Sequence, residues 1–359
     1  MFTFVKKLNS MSDFHSLKIS EIKQETPTSV AVTFEVPTAL KASFSFVAGQ
    51  YITLKHTING TEVRRAYSIC SAPSSGMLTV GIKKVEGGVF SVYANDQLTV
   101  GERIEVMVPE GTFTLTPNPR STKHIAAFAA GSGITPILSI AQTAMQEETD
   151  STFLLVYGNQ TKEEAMFHNT IEQLKRQFPE RFFIEYIYSR AQETNAARGR
   201  IDKSVVTYYL KNKYKETAFE NFYICGPEAM IHEVSNTLVA SGVPKEHIYF
   251  ELFTTSKAAV PGTAQDGNTQ ISIIVDEVKE TFTMPQNKTI LEAALEKQLD
   301  APYSCQGGIC SSCIGRVIEG KAEMRQNQIL TDSEVAEGLV LTCQAHPVTP
   351  TLVLDYDDI

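Results

Sequence analysis

Polar and apolar positions alternate in short runs over the first third of the chain, and near residue 120 this rhythm gives way to apolar strands followed by helical stretches. In residues 29–36 the side chains of Val30, Val32, Phe34 and Val36 fall on one face at period two, the signature of a half-buried strand. Further strands are predicted at 51–55, 65–70, 77–84 and 103–108, with Gly, Pro and Asn turns between them. Several short strands with turn signals predict an antiparallel barrel or sandwich.

The second rhythm pairs a strand at 124–130 with a helix at 136–145, and a strand at 152–157 with a helix at 162–178. A strand at 182–188 follows, and then a strand at 222–225 with a helix at 228–240. Alternating βα units predict a parallel sheet covered by helices. Residues 254–268 are small, polar and patternless, and read as a linker reaching up to roughly 50 Å when extended. Beyond them, 271–275 and 281–284 predict a hairpin. Thr289 and Glu292 form a T-x-x-E capping box that opens a helix presenting Leu291, Ala294, Leu295 and Gln298 on one face. No run of about 18 apolar residues exists, and the first ten residues hold no apolar segment of signal-peptide length, so a cytoplasmic location is expected.

Charge sharpens the picture of partners. The chain has 32 basic and 41 acidic side chains and a net charge of −9, which argues against a nucleic-acid or anionic-membrane partner. Residues 269–359 alone carry six Lys and Arg against fourteen Asp and Glu, so nearly the whole imbalance lies in the last quarter, which is expected to dock on basic surfaces. Four of the six cysteines lie in that same quarter. A chain of 359 residues needs no disulfide staples, so a metal site is the better reading.

The most specific motif is Cys305-x4-Cys310-x2-Cys313, completed by Cys343 after 29 further residues. This C-x4-C-x2-C…C spacing is the plant-type [2Fe–2S] arrangement, and Gly307 and Gly308 leave room for backbone N–H groups to bend toward sulfur. A structural zinc site is the alternative, although such sites usually pair their ligands as two C-x2-4-C knuckles. Gly131-Ser-Gly-Ile-Thr-Pro136 follows an apolar strand and suits a pyrophosphate at a helix N-terminus, or a tight βα turn without a ligand. Cys225-Gly226-Pro227 ends another strand and could line the same crevice. Ser189 and Arg190 end the strand at 182–188, where a hydroxyl and a guanidinium would bind a 2′-phosphate and favour NADPH over NADH; Arg198 and Arg200 could serve equally. In the barrel region Arg65 can pair with a pyrophosphate, Tyr67 offers a ring to lie against a flavin, and Ser68 a hydroxyl for a flavin edge. Gly87-Gly88-Val-Phe-Ser91 follows downstream.

Taken in order, R-x-Y-S, G-G-x-x-S, G-S-G-I-T-P, C-G-P, E-L-F at 251–253 and the four cysteines resemble the ferredoxin–NADP⁺ reductase superfamily with a C-terminal ferredoxin. The resemblance implies a multidomain chain: an N-terminal extension at 1–13, an FAD-binding antiparallel β-barrel at 14–117, an NAD(P)H-binding α/β domain at 118–253, a linker at 254–268 and a β-grasp [2Fe–2S] ferredoxin domain at 269–359. It carries FAD contacts onto Arg65, Tyr67, Ser68, Gly88 and Ser91, and nucleotide contacts onto Gly131, Gly133, Thr135, Ser189 and Arg190. It places Cys225, Gly226 and Pro227 on the nicotinamide side, and Glu251 and Phe253 beside the isoalloxazine. Ser68, Cys225 and Glu251 are the expected catalytic set.

Within the superfamily, residues 14–17 (F-H-S-L), 157–159 (Y-G-N) and 199–202 (G-R-I-D) are most similar to the reductase subunits of phenylacetyl-CoA epoxidases. That likeness implies delivery of electrons from NADPH through FAD and a [2Fe–2S] cluster to terminal oxygenase subunits with a di-iron centre. A reductase of another oxygenase, steroid hydroxylase or desaturase, and a stand-alone flavin reductase, are the alternatives.

Overall fold

A computed structural model of the protein describes residues 14–190, 196–253 and 267–359. The expected N-terminal extension and residues 254–266 of the expected linker lie outside the described residues. Residues 16–253 form one compact unit, and residues 267–359 belong to a second.

In the first unit the alternating segments become β1 (Phe14–Thr26), β2 (Ser29–Glu35), β3 (Tyr51–Ile58), β4 (Thr61–Ser68), β5 (Leu78–Lys83) and β6 (Arg103–Met107), in the order β4-β3-β6-β1-β2-β5. The β1–β2, β2–β5, β3–β4 and β3–β6 pairs are antiparallel. The chain just beyond β4 bridges back to β5 through Ile69 and Val80, which closes the sheet into a barrel. Period-two patterning turns Leu17, Ile19, Val32, Ile52, Leu54, Val80 and Ile82 inward, all essentially inaccessible to water. Each such burial stabilises the fold by about 1.5–3 kcal/mol. Helix α1 (Val89–Asp96) adds Phe90 and Ala94 to this core.

The βα units build a second sheet from β7 (His124–Ala130), β8 (Thr152–Asn159), β9 (Phe182–Tyr188), β10 (Ala197–Arg198), β11 (Asn221–Cys225) and β12 (Ile248–Glu251). Its order is β10-β9-β8-β7-β11-β12, and every pair is parallel. Helices α2 (Ile134–Glu147), α3 (His168–Gln177), α4 (Lys203–Tyr208) and α5 (Glu228–Ala240) connect these strands. The chain proceeds outward from β7 to β8 and later returns to β7's other side with β11, so the strand order reverses between β7 and β11.

The predicted helix at 162–178 is shorter than expected, beginning only at His168. Phe167 takes a left-handed φ of 58° and is buried together with Ala165 and Met166. Insertion of these side chains into the core outweighs the local helical preference.

The barrel and the parallel sheet share one core. Ala31, Ala48, Cys70, Phe113 and Leu115 belong to the same apolar cluster as Ile137, Ile140, Ala141 and Tyr223. Across this seam Ser139 Oγ donates to the Ser71 carbonyl at 2.7 Å, and Tyr223 Oη to the Thr114 carbonyl at 3.2 Å.

The second unit holds β13 (Asn268–Val275), β14 (Val278–Pro285), α6 (Ile290–Glu296), β15 (Ile314–Glu319), β16 (Ala322–Met324), α7 (Asp332–Ala336), β17 (Leu339–Leu341), β18 (Ala345–Pro347) and β19 (Thr351–Asp355). Its main sheet runs β14-β13-β19-β15-β17, parallel only at β13–β19, while β16 and β18 pair separately. The expected hairpin turns through Asp276 and Glu277, both at positive φ, and the Asp357 carboxylate accepts both of their N–H groups. The capping box at α6 is formed: Thr289 Oγ1 accepts from Glu292 N and Glu292 Oε2 from Thr289 N, a device worth about 1 kcal/mol. Among the described residues no helix is long and apolar enough to cross a membrane.

Candidate functional site

Where strand order reverses in an open parallel sheet, the loops at the carboxyl ends of the two central strands part and leave a crevice. Here those loops are the Gly131 turn after β7 and Cys225-Gly226-Pro227 after β11. Gly131–Gly133 forms a single 3-10 turn that feeds α2, with Gly131 at φ 56°. A Cβ on Gly133 would overlap the Cys225 carbonyl, and one on Gly226 would press on Met230 and Ala130. The glycines therefore let the two loops touch. Thr135 is fully buried, its hydroxyl donating to the Ser132 carbonyl and its methyl lying against Gly81 of β5.

The register of the sheet sets Cys225 between Ala129 and Glu251. Ser68, at the end of β4 and 183 residues earlier in the chain than Glu251, donates to Glu251 Oε2 at 3.1 Å. Ser68, Cys225 and Glu251 thus meet at the barrel–sheet junction. Loss of solvent pushes the Glu251 carboxyl up to about 8, and the Ser68 hydrogen bond opposes that shift. Burial first, and then the Glu251 charge, hold the Cys225 thiol well above its ordinary value. A serine hydroxyl beside a carboxyl raised to about 8 can hold or release a proton at this junction.

On the barrel side the Tyr67 ring is half-buried, 5.6 Å from Phe90 and tilted to it, and burial raises its phenol. Arg65 is exposed, with Nη1 donating to the Arg64 carbonyl at 2.6 Å. Gly88 caps α1, and Ser91 Oγ accepts from Val85 N at 3.2 Å, so that hydroxyl closes the 85–91 loop. Phe253 stands 37% exposed two residues past β12, which leaves an aromatic face open to a ligand.

At the far end of the crevice, Ser189 N and Arg190 N donate to the carbonyls of Asn159 and Gln160. The short strand β10 pairs Arg198 with Tyr188, and Arg190, Arg198 and Arg200 are all exposed at this sheet edge. Asn159 Nδ2 is buried without a hydrogen-bond partner at the end of β8, a donor left over for a ligand. Nothing in the sequence singles out Lys83 for this crevice. Its ammonium lies 4.0 Å from where a Gly131 Cβ would be, so an open glycine turn and a cation meet as an anion requires. Only the β5–Gly131 contact reveals it.

The four cysteines of the second unit fall into two pairs. Cys310 donates to Cys305 and Cys313 to Cys343, which lowers the acceptor thiol of each pair and raises the donor. The Gly307 amide adds a bond to Cys305 Sγ at 3.3 Å. Two pairs suit a binuclear cluster with two thiolates on each iron. Gly308 is at φ 72° and touches Gln344, while Gln306 takes φ 53°, a conformation costing a non-glycine residue about 1–2 kcal/mol.

Three family models match the chain: an oxidoreductase FAD-binding domain over residues 16–115, an oxidoreductase NAD-binding domain over 128–236, and a 2Fe-2S iron-sulfur cluster binding domain over 273–348. The last of these favours a cluster over zinc in the second unit. The chain is 37% identical over 351 residues to a component of the 1,2-phenylacetyl-CoA epoxidase of Escherichia coli K12, covering 97% of this chain and 99% of that protein. It is 30% identical over 355 residues to the ferredoxin reductase component of a 3-ketosteroid-9-alpha-monooxygenase of Mycolicibacterium smegmatis, covering 95% and 97%. Among solved structures it shares its fold with a phthalate dioxygenase reductase at a TM-score of 0.60 and 24% identity, over 95% of this chain and 98% of that one. The chain therefore belongs to the ferredoxin–NADP⁺ reductase family, as an oxidoreductase with FAD-binding and NAD-binding domains and a C-terminal [2Fe–2S] ferredoxin domain.

Proposed function

We propose that this protein takes reducing equivalents from NADPH and passes them, through FAD and the [2Fe–2S] cluster, to the terminal oxygenase of a phenylacetyl-CoA epoxidase. The observation that carries the reading is the meeting of Ser68, Cys225 and Glu251 at the carboxyl edge of the parallel sheet, in a chain that also holds two cysteine pairs. A bound flavin accepts a hydride and gives up electrons singly, chemistry that no side chain supplies.

The residues do the rest. Gly131 and Gly133 admit a pyrophosphate, with Lys83 beside them as its counter-charge. Arg190, with Ser189, faces the 2′-phosphate, and Arg198 and Arg200 extend the positive edge. Tyr67 and Phe253 would flank the flavin ring, and Arg65, Gly88 and Ser91 would hold the phosphate-bearing part of FAD. Cys225, Gly226 and Pro227 line the nicotinamide side, and Ser68 with Glu251 exchanges a proton at the flavin edge. The four thiolates hold the cluster, and the acidic second unit docks on a basic oxygenase surface.

Arg190→Glu is expected to raise KM for NADPH about 10–100-fold, the worth of one charge-assisted hydrogen bond, and to leave KM for NADH nearly unchanged. Equal effects on both nucleotides would remove the 2′-phosphate from this site. Deleting the gene is expected to abolish growth on phenylacetate. Normal growth would move the protein to another oxygenase, and its steroid-monooxygenase relative makes a ring hydroxylase the next to test.

A further inference from the structure

In the second unit a chain segment far from the cysteine loop ties that loop down. Cys343, the distant fourth ligand, stands between Thr342 and Gln344, and both neighbours reach back to the loop. Thr342 N and Oγ1 donate to the Cys313 carbonyl at 3.0 and 2.9 Å. Gln344 Nε2 donates to the Gln306 carbonyl at 3.2 Å and also lies 3.9 Å from Cys343 Sγ, within reach of its second N–H. A Cβ on Gly308 would sit 2.9 Å from Gln344 Cγ, so the glycine makes room for this side chain. The Gln344 backbone is itself fixed, its N–H donating to the Leu341 carbonyl and its carbonyl accepting from Arg325 N.

Gln306 holds a left-handed φ that a non-glycine residue adopts only when its surroundings impose it, and its carbonyl is where Gln344 grips. Charge makes the choice of side chain informative. In a segment with fourteen acids, three residues that touch the loop around Gly308, namely Gln326, Gln328 and Gln344, are neutral amides. An N–H aimed at a ligating sulfur favours the more negative, reduced state of a cluster, whereas a carboxylate in its place opposes it.

We propose that Gln344 is a positioning residue for the cluster. Its side-chain amide latches the Gln306–Gly308 turn onto the fourth ligand and donates to Cys343 Sγ, and so sets both how readily the cluster takes an electron and how tightly it is held. The inference rests on the [2Fe–2S] reading and is independent of which oxygenase is served.

The test is an EPR-monitored redox titration of the full-length holoprotein, with the rate of cluster bleaching by a chelator as a second readout. Gln344→Leu is expected to lower the cluster's one-electron reduction equilibrium about tenfold, equivalent to about 59 mV, and to bleach faster. Gln344→Glu keeps the side-chain length, so it serves if the leucine variant assembles no cluster. It replaces the donor with a charged acceptor and is expected to lower the potential further. Gln328→Leu, on the same rim but without a bond to a ligating sulfur, is expected to keep the wild-type potential. Wild-type potentials in both Gln344 variants would overturn the proposal, as would an equal fall in Gln328→Leu. Absence of a reduced-cluster EPR signal from the wild-type protein would instead sink the [2Fe–2S] reading itself.

Discussion

The two units assemble their chemistry in opposite ways. In residues 267–359 three of the four cysteines proposed as ligands come from one nine-residue stretch, and the fold supplies only Cys343 and its flanking clasps. In residues 16–253 the groups proposed to react come from the ends of three strands, β4, β11 and β12, and Ser68 meets Glu251 only because a barrel and a parallel sheet share a core. A cluster needs fixed spacing around a preformed inorganic unit, which local sequence can encode. A crevice for two planar rings needs surfaces from separate layers, which only tertiary packing brings together.

The largest expected effect separates the two assemblies outright. Cys305→Ser is expected to cut nicotinamide-nucleotide-driven reduction of an oxygenase partner by more than the roughly 100-fold that loss of an outer-shell partner costs, while reduction of bound FAD by the same nucleotide proceeds normally. Loss of both activities would mean that the units depend on each other. A second effect tests the close approach of the two loops. Gly133→Ala is expected to cost about 1–3 kcal/mol of stability through overpacking against Cys225, seen as a lower Tm, together with weakened nucleotide binding. A wild-type Tm would show that the loops can part.

The junction also titrates. Because the Glu251 carboxyl is raised in the folded protein, its native state binds the extra proton between the ordinary carboxylate range and about 8. Stability of the FAD-free protein is therefore expected to fall as pH rises through that window, and Glu251→Gln should flatten the curve. An unaltered Tm-against-pH profile in the variant would assign the dependence elsewhere. The smallest effect is that of Lys83→Ala. A half-buried cation beside the open Gly131 turn is worth about 1 kcal/mol to a bound phosphate, so nucleotide affinity should weaken about fivefold and the loss should shrink at high salt.

Legibility in the sequence follows the same division. Strands with a clean period of two and the T-x-x-E cap at Thr289 were readable because their signals are local. The cysteine spacing was readable for the same reason. Lys83 and Gly81 carry no mark in the chain, since their meaning comes from a glycine turn and a buried phenylalanine brought up by another layer. The helix expected at 162–178 failed at its first turn because Met166 and Phe167 are worth more in the core than in a helix. Ser91 was legible as a position but not as a bond, because its hydroxyl closes its own loop onto Val85.

The seam where Ser139 grips Ser71 and Tyr223 grips Thr114 bears on protein engineering. A chimera joined between residues 115 and 124, at the apparent border of barrel and sheet, would cut through one continuous core and mismatch both halves. One joined at the border of the two units, beside Thr254, leaves each core whole. The exchangeable parts of this reductase are thus two rather than three, and a graft that aims to change the nucleotide must bring the barrel with it.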